Sequence, residues 1–188
     1  MYKIVIVSGS ARLGRQTPKA VDYLNKVLSA DSRVSAVTVL DVKEYNFPIM
    51  EERRGRNPNP PERLDEFGDI VETADALVFA SPEYNGSFSG ALKNTLDYFY
   101  QEYAKKPIGV CMAAAGAFSG VNASHDLQKY ILTLGGFPMP RKLLVGKIHA
   151  AFDENGNPVE ERLQKSFSAF AEDLLWLTEA IDNQKKRN

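Results

Sequence analysis

Residues 2–17 have the sequence YKIVIVSGSARLGRQT, and this stretch establishes the fold class. Its first half is a short run of apolar, mostly β-branched side chains, which is typical of a buried strand in a parallel sheet. Its second half is rich in glycine and hydroxyl residues, and it leads into a helical pattern that begins at Pro18. A buried strand, a polar loop and a helix in this order predict an α/β fold with a ligand site at the carboxyl end of the strand.

The alternation of strand and helix continues along the rest of the chain. Apolar runs predict further strands at residues 34–40, 76–80, 108–112 and 142–145. Apolar residues at helical spacing predict helices at residues 18–29, 64–74, 91–103, 121–134 and 163–181. Strands that alternate with helices of this length imply a parallel sheet covered on both faces. We therefore predict a flavodoxin-like three-layer α/β/α sandwich whose five parallel strands have the order 2-1-3-4-5.

Size and charge are those of an ordinary globular domain. The chain has 188 residues, of which 44% are hydrophobic and 25% charged, and its formal net charge is -1. We expect one domain over residues 1–182 and a disordered basic tail over residues 183–188. The near-neutral charge does not favour nucleic acid, and no apolar run reaches the ~18 residues of a membrane span. Because the first strand begins at Tyr2, we expect no signal peptide and a cytoplasmic protein.

Two segments allow more than one interpretation. Residues 42–61 are rich in arginine, asparagine and proline, and they form either a mobile surface excursion or a flap that shapes an active site or a subunit contact. The aromatic residues Tyr98, Phe99, Tyr100 and Tyr103 exceed what one core face needs. A core position is the default for them, and a subunit interface is the alternative.

The loop after the first strand, residues 8–17, has the composition of an anion site. Free backbone N–H groups and the dipole at the start of a helix both favour an anion. Ser10 and Thr17 can donate hydroxyl hydrogen bonds, and Arg12 can pair with phosphate oxygens in a forked geometry. So many donors suit a terminal phosphate monoester. In the alternative interpretation the glycines only turn the chain and Arg12 is solvated.

The loops after the third and fourth predicted strands contain mostly small residues. Residues 81–87 combine Pro82, Tyr84 and Asn85, so that backbone amides can bond the polar edge of a flat heterocycle while the tyrosine covers its surroundings. Residues 113–120 are mostly alanine and glycine, which let a planar ring lie against the backbone. Either loop can instead be a turn that allows close helix–sheet packing. Together the three loops suggest a mononucleotide with a flat ring.

Other chemistries find less support. Residues 9–14 approach a dinucleotide fingerprint, with Asp41 as the ribose-binding acid, but Ala11 occupies the second glycine position and no catalytic domain follows. No Gly-Lys-Ser/Thr phosphate loop occurs, and residues 86–90 have Phe88 where a nucleophile elbow needs serine. The single cysteine and the two widely separated histidines predict neither a nucleophile nor a metal pair.

Three segments at this spacing resemble a known family. Residues 9–15, 82–87 and 91–94 have the sequences GSARLGR, PEYNGS and ALKN, and they resemble the NADPH-dependent FMN reductase family. That family includes quinone, azo-dye and chromate reductases. The resemblance covers about residues 2–180 and implies a flavodoxin-like fold, bound FMN, NADPH or NADH as the donor, and a homodimer or homotetramer.

The resemblance also implies which residues contact the cofactor. In the family the first loop binds the flavin phosphate, and the other two loops meet the isoalloxazine. The matching positions are Ser10, Arg12, Gln16 and Thr17 in the first loop, Pro82, Glu83, Tyr84 and Asn85 in the second, and Ala115, Gly116 and Gly120 in the third. Many members have Ser and Asn at the positions of Arg15 and Thr17, and many have Pro at that of Ser89.

The implied activity is that of an FMN-dependent NAD(P)H oxidoreductase. The flavin carries the chemistry, because the donor passes a hydride to its N5 and a quinone, flavin, azo dye or similar acceptor then takes two electrons in a ping-pong cycle. No catalytic side chain and no metal are expected. One alternative is a flavodoxin-type electron carrier, which is usually strongly acidic and lacks arginine in its phosphate loop. Another is a regulatory FMN-binding protein.

Overall fold

The computed structural model describes residues 1–187, and strands and helices alternate along them. The strands are β1 (Tyr2–Ser8), β2 (Val34–Asp41), β3 (Ala76–Tyr84), β4 (Ser87–Phe88), β5 (Pro107–Ala113), β6 (Phe137–Pro138) and β7 (Leu143–Val145). The helices are α1 (Thr17–Ser29), α2 (Val42–Tyr45), α3 (Leu64–Thr73), α4 (Gly90–Asp97), α5 (Val121–Thr133) and α6 (Glu161–Lys185). Each predicted strand and helix therefore has a counterpart, although the helix predicted at residues 91–103 ends at Asp97.

The sheet has the predicted flavodoxin-like order. Across the sheet the parallel strands follow the spatial order β2, β1, β3, β5. The fifth position is divided between β6 and β7, which both pair in parallel with β5. The division coincides with Pro138 and Pro140, which have no N–H group for a strand ladder. β4 is an antiparallel addition to the end of β3.

Alternate residues of each buried strand face two separate cores. In β1, Ile4 and Ile6 pack with residues of α1 and α6, whereas Val5 and Val7 pack with residues of α3, α4 and α5. Successive side chains of a strand point to opposite faces of the sheet, and both faces are covered here. The strand sequences are therefore apolar at almost every position. The result is a three-layer sandwich, as predicted.

The aromatic cluster after α4 belongs mostly to the core. Tyr98, Phe99 and Tyr103 are at most 1% exposed, and only Tyr100 is substantially exposed, at 44%. Phe99 stacks on Phe67 with a ring-centroid distance of 5.1 Å. The idea that these aromatics exceed the needs of the core is therefore wrong for three of the four.

Contacts with α3 and α4 hold the segment of residues 42–61. The Tyr98 hydroxyl donates to the Pro48 carbonyl at 3.0 Å, and the Asn94 side chain accepts from the Met50 N–H at 2.9 Å. The guanidinium of Arg54 pairs with four carboxylates, those of Asp65, Asp69, Glu72 and Glu102. These contacts argue against a mobile excursion.

The last helix is longer than predicted. It continues to Lys185, so residues 183–185 of the expected tail are helical, and Asn188 lies outside the described residues. No helix in the described part of the chain is long and apolar enough to cross a membrane.

Lys106 provides a stability test of the packing between α3 and β5. Its side chain is 8% exposed, and its ammonium donates to the carbonyls of Val71, Glu72 and Ala74 at 3.0, 2.6 and 2.6 Å, where α3 ends. We expect Lys106→Met to lower the free energy of unfolding by about 2–3 kcal/mol, because three carbonyl acceptors, two of them buried, lose a charged donor. Urea denaturation measures this, with Lys105→Met at the exposed neighbouring position as the control. Equal losses in the two variants would contradict the capping role.

Candidate functional site

Three loops meet at one edge of the sheet because the strands that precede them are in register. Ser8 at the end of β1 pairs with Ala80 of β3, and Pro82 of β3 pairs with Ala113 at the end of β5. The Gly9 N–H donates to the Ala80 carbonyl at 2.7 Å, which joins the first loop to β3. The loops after β1, β3 and β5 therefore form the walls of a single candidate site.

The first loop presents unpaired donors at the start of α1. Across residues 1–187, no oxygen atom accepts from the backbone N–H groups of residues 10–14. The side chains of Ser10 and Thr17 are 1% and 2% exposed, whereas that of Arg12 is exposed to solvent. Backbone donors, hydroxyl groups and a guanidinium at a helix N-terminus form a suitable environment for a phosphate.

Arg15 supports this loop and does not add a free charge to it. Its Nη1 donates to the Ser10 carbonyl at 2.8 Å and to Asp41 Oδ1 at 2.5 Å. Asp41 also accepts from the Lys43 N–H at 2.9 Å, at the start of α2. Oδ1 of Asp41 is thus engaged twice, by the arginine and by the cap of α2, which gives this carboxylate a structural role.

The second loop is a two-residue turn that closes a β-hairpin. β3 continues to Tyr84 and pairs with β4, so the turn consists of Asn85 and Gly86, with φ angles of 53° and 86°. Two successive positive φ angles define the turn that matches the twist of a hairpin, and Asn-Gly is its preferred sequence. The Asn85-Gly86 dipeptide therefore predicts this hairpin from the sequence alone.

The side chains of the hairpin have different surroundings. The Tyr84 hydroxyl lies 3.5 Å from Ser10 Oγ, and the Arg12 guanidinium lies 5.4 Å from the centre of the Tyr84 ring. Tyr84 thus links the first two loops. By contrast, the Glu83 carboxylate accepts from the Ala123 N–H at 3.2 Å. This side chain therefore bonds a free N–H group in the first turn of α5. Pro82 is buried within the sheet.

Ser89 connects the first loop to α4, and its role could not be deduced from the loop motifs alone. Its hydroxyl donates to the Gly9 carbonyl and accepts from the Leu92 N–H at 3.0 Å, which caps α4. Its own N–H donates to Ser81 Oγ at 3.0 Å. A serine directly before a helical pattern signals a cap, but its bond to Gly9 depends on the tertiary structure.

The third loop contains two glycines with different roles. Gly120 has φ 79°, and a Cβ there would lie 2.9 Å from Met112 Cβ, so the backbone itself requires glycine. Gly116 has no positive φ, and a Cβ there would have no neighbour within 4 Å. Gly116 and the adjacent Ala115 are exposed. The open space beside them can accommodate a planar ring.

The remaining reactive side chains do not extend the site. Burial raises the pKa of the Cys111 thiol to about 12, which is consistent with an inert strand residue. Within residues 1–187, no three His, Cys, Asp or Glu side chains are grouped so that they could hold a metal ion.

Comparison with known proteins gives consistent matches. Residues 2–150 match the family model for NADPH-dependent FMN reductase. A quinone reductase of Pseudomonas putida is 27% identical over 92% of both chains, and an FMN-dependent NADPH-azoreductase of Staphylococcus haemolyticus is 33% identical over 75% of both. The solved structure of FerB, a flavoenzyme NAD(P)H:acceptor oxidoreductase from Paracoccus denitrificans, superimposes with a TM-score of 0.81 at 23% identity, covering 96% of this chain and 98% of that one.

Ser89→Ala tests the connection between the first loop and α4. We expect the free energy of unfolding to fall by about 2 kcal/mol, because a helix cap and a buried carbonyl both lose their partner. Chemical denaturation of the protein without cofactor measures the loss. Ser87→Ala in β4 is the control. If Ser89→Ala were as stable as this control, the bonds of Ser89 would contribute nothing to the free energy of unfolding.

Proposed function

Because the chain belongs to the NADPH-dependent FMN reductase family, we propose that it uses FMN to pass two electrons from NAD(P)H, by a ping-pong mechanism, to a quinone, flavin, azo compound or similar small acceptor. The observation that carries the proposal is the row of unpaired N–H groups at residues 10–14, at the same edge of the sheet as the open space at Gly116 in the loop after β5. The first feature suits a phosphate and the second a flat ring. One ligand with both parts is a flavin mononucleotide.

In this proposal the first loop holds the phosphate. Ser10 and Thr17 contribute hydroxyl groups, Arg12 contributes a guanidinium, and the backbone N–H groups complete the set. Gln16 shapes the loop, since its side-chain amide donates to the Gly14 carbonyl at 3.0 Å. A monoester carries close to two negative charges, so it benefits from this many donors. FMN ends in such a group and FAD does not.

The second and third loops would hold the ring. Tyr84 and Asn85 border it at the hairpin, where Pro82 and Glu83 contribute backbone, and Ala115, Gly116 and Gly120 border it on the other side. Small residues in the third loop leave one face of the ring uncovered. Donor and acceptor would have to use that face in turn, which is the structural reason to expect a ping-pong mechanism.

Bound FMN supplies the hydride and electron-transfer chemistry. The chain's own residues bind and orient it, and the nearby carboxylates are engaged elsewhere. Glu83 is bonded to the Ala123 N–H, and Asp41 is bonded to Arg15. We therefore assign no acid or base to these side chains.

Assembly into a homodimer or homotetramer is also part of the proposal. Ile49 is 85% exposed in the segment that α4 anchors, and Tyr100 follows α4 with the Arg53 guanidinium 4.7 Å from its ring centre. These exposed apolar side chains can be covered by a second subunit. They support an interface at this surface in place of the buried Tyr98, Phe99 and Tyr103.

Arg12→Ala tests the phosphate site directly. We expect FMN binding to the apoprotein to weaken by about 1.5–3 kcal/mol, the range for a hydrogen bond to a charged group. Fluorescence titration measures the dissociation constants of FMN and FAD, and FAD should bind more weakly than FMN to the native chain. Lys26→Ala, at the opposite end of α1, is the matched control. An unchanged FMN constant would remove Arg12 from the site.

Steady-state kinetics test the ping-pong mechanism and the enzyme class together. With NADPH and a benzoquinone as the varied substrates, double-reciprocal plots should be parallel, because both substrates use one face of the same ring. Intersecting lines would indicate separate sites and a ternary complex. An FMN-loaded protein that oxidises NAD(P)H only in the presence of a partner protein would be an electron carrier.

A further inference from the structure

A groove of about 840 Å³ lies beside the third loop and has no role in the function described so far. Its walls are formed by the third loop, β7, residues 146–151 and the start of α6. Two backbone bonds join one wall to the third loop, from the Lys147 N–H to the Gly116 carbonyl at 3.4 Å and from the Ile148 N–H to the Ala114 carbonyl at 3.1 Å. The groove is therefore adjacent to the place where the flavin ring is proposed to lie.

The groove combines cations with apolar surface. Lys142, Lys147 and Arg162 line it, together with a single acid, Glu160. Within residues 1–187, none of the three cations takes part in an ion pair. Phe118, which also lines the groove, is 88% exposed. An excess of free cations beside an open aromatic ring suits a ligand with both a phosphate and a flat heterocycle.

We propose that this groove binds the adenosine 2′-phosphate end of the donor NADPH and thereby selects NADPH over NADH. Lys142 and Arg162 contact the 2′-phosphate, and Phe118 stacks on the adenine. Phe118 is two residues from Gly116, so their Cα atoms are separated by at most about 7 Å. A dinucleotide that begins in the groove can therefore reach the flavin face with its nicotinamide. This inference rests on the proposed function, since it extends the same site to the far end of the donor.

Charge favours the phosphorylated donor as the occupant. NADH carries its adenosine without the 2′-phosphate, so it leaves these cations without a partner. An acidic acceptor would also satisfy the cations, but it would have to lie over the ring, and the cations line a groove that is beside the third loop. The volume is within the range of about 300–1,000 Å³ that holds ligands of moderate size.

The test compares the double variant Lys142→Ser/Arg162→Ser with Lys165→Ser. Lys165 is on α6 too, but it pairs with Glu161 and does not line the groove. Initial rates are measured with NADPH and with NADH at a fixed benzoquinone concentration, and binding of adenosine 2′,5′-bisphosphate to the FMN-loaded protein is measured by calorimetry. We expect kcat/KM for NADPH to fall about tenfold or more and bisphosphate binding to be lost, because charge-assisted bonds to the phosphate disappear.

In the same variant, kcat/KM for NADH and the FMN dissociation constant should stay within about twofold of the native values, as should every quantity in the control. Equal losses with NADPH and NADH, or no loss with either, would overturn the proposal. In a second series an acidic quinone is varied at saturating NADPH, and a change confined to its KM would assign the groove to the acceptor and overturn the proposal as well. Native protein that fails to bind FMN or to oxidise either donor would instead refute the proposed function, and bisphosphate binding to the protein without FMN, compared between the native chain and the double variant, would still test the groove.

Discussion

The close contact between Gly9 and β3 is the constraint on which the candidate site depends. A Cβ at Gly9 would lie 2.7 Å from the Ala80 carbonyl oxygen and 2.8 Å from Leu92 Cβ. Only glycine allows the first loop to cross the end of β3 and to pass directly under α4. From this crossing the loop continues to α1 with its N–H groups unpaired, and Ser89 fixes the crossing by bonding the Gly9 carbonyl.

Two arginines of the first loop have different roles because their local partners differ. Arg15 is engaged by Asp41 and by the Ser10 carbonyl, so its charge is neutralised and it acts as a brace. Arg12 is exposed and lies beside the Tyr84 ring, so its guanidinium is accessible from solvent and has no carboxylate partner within residues 1–187. A serine at the position of Arg15 could not form this brace.

Periodicity predicted the fold because buried parallel strands and amphipathic helices have strong, local sequence patterns. It failed where tertiary contacts outweigh local pattern. The fifth strand is split near Pro138 and Pro140, and the aromatics after Asp97 leave the helix and enter the core. The three loops of the site were predictable, since each follows a strand end. The partners of Glu83, Arg15 and Ser89 were not, because each bonds a residue that is distant in sequence or brought close only by the fold.

The candidate site has an open part beside Gly116 and a charged groove next to it, and these two parts can treat acceptor and donor differently. Apart from Phe118, the third loop consists of small residues, so the space beside Gly116 offers little that could discriminate among flat acceptors. The groove offers charge, and its Lys147 backbone bonds the Gly116 carbonyl directly. A donor that is long enough to occupy both places can be recognised by its remote end, while a short acceptor contacts only the open part. This division would let one chain be specific for its electron source and tolerant of its electron acceptor.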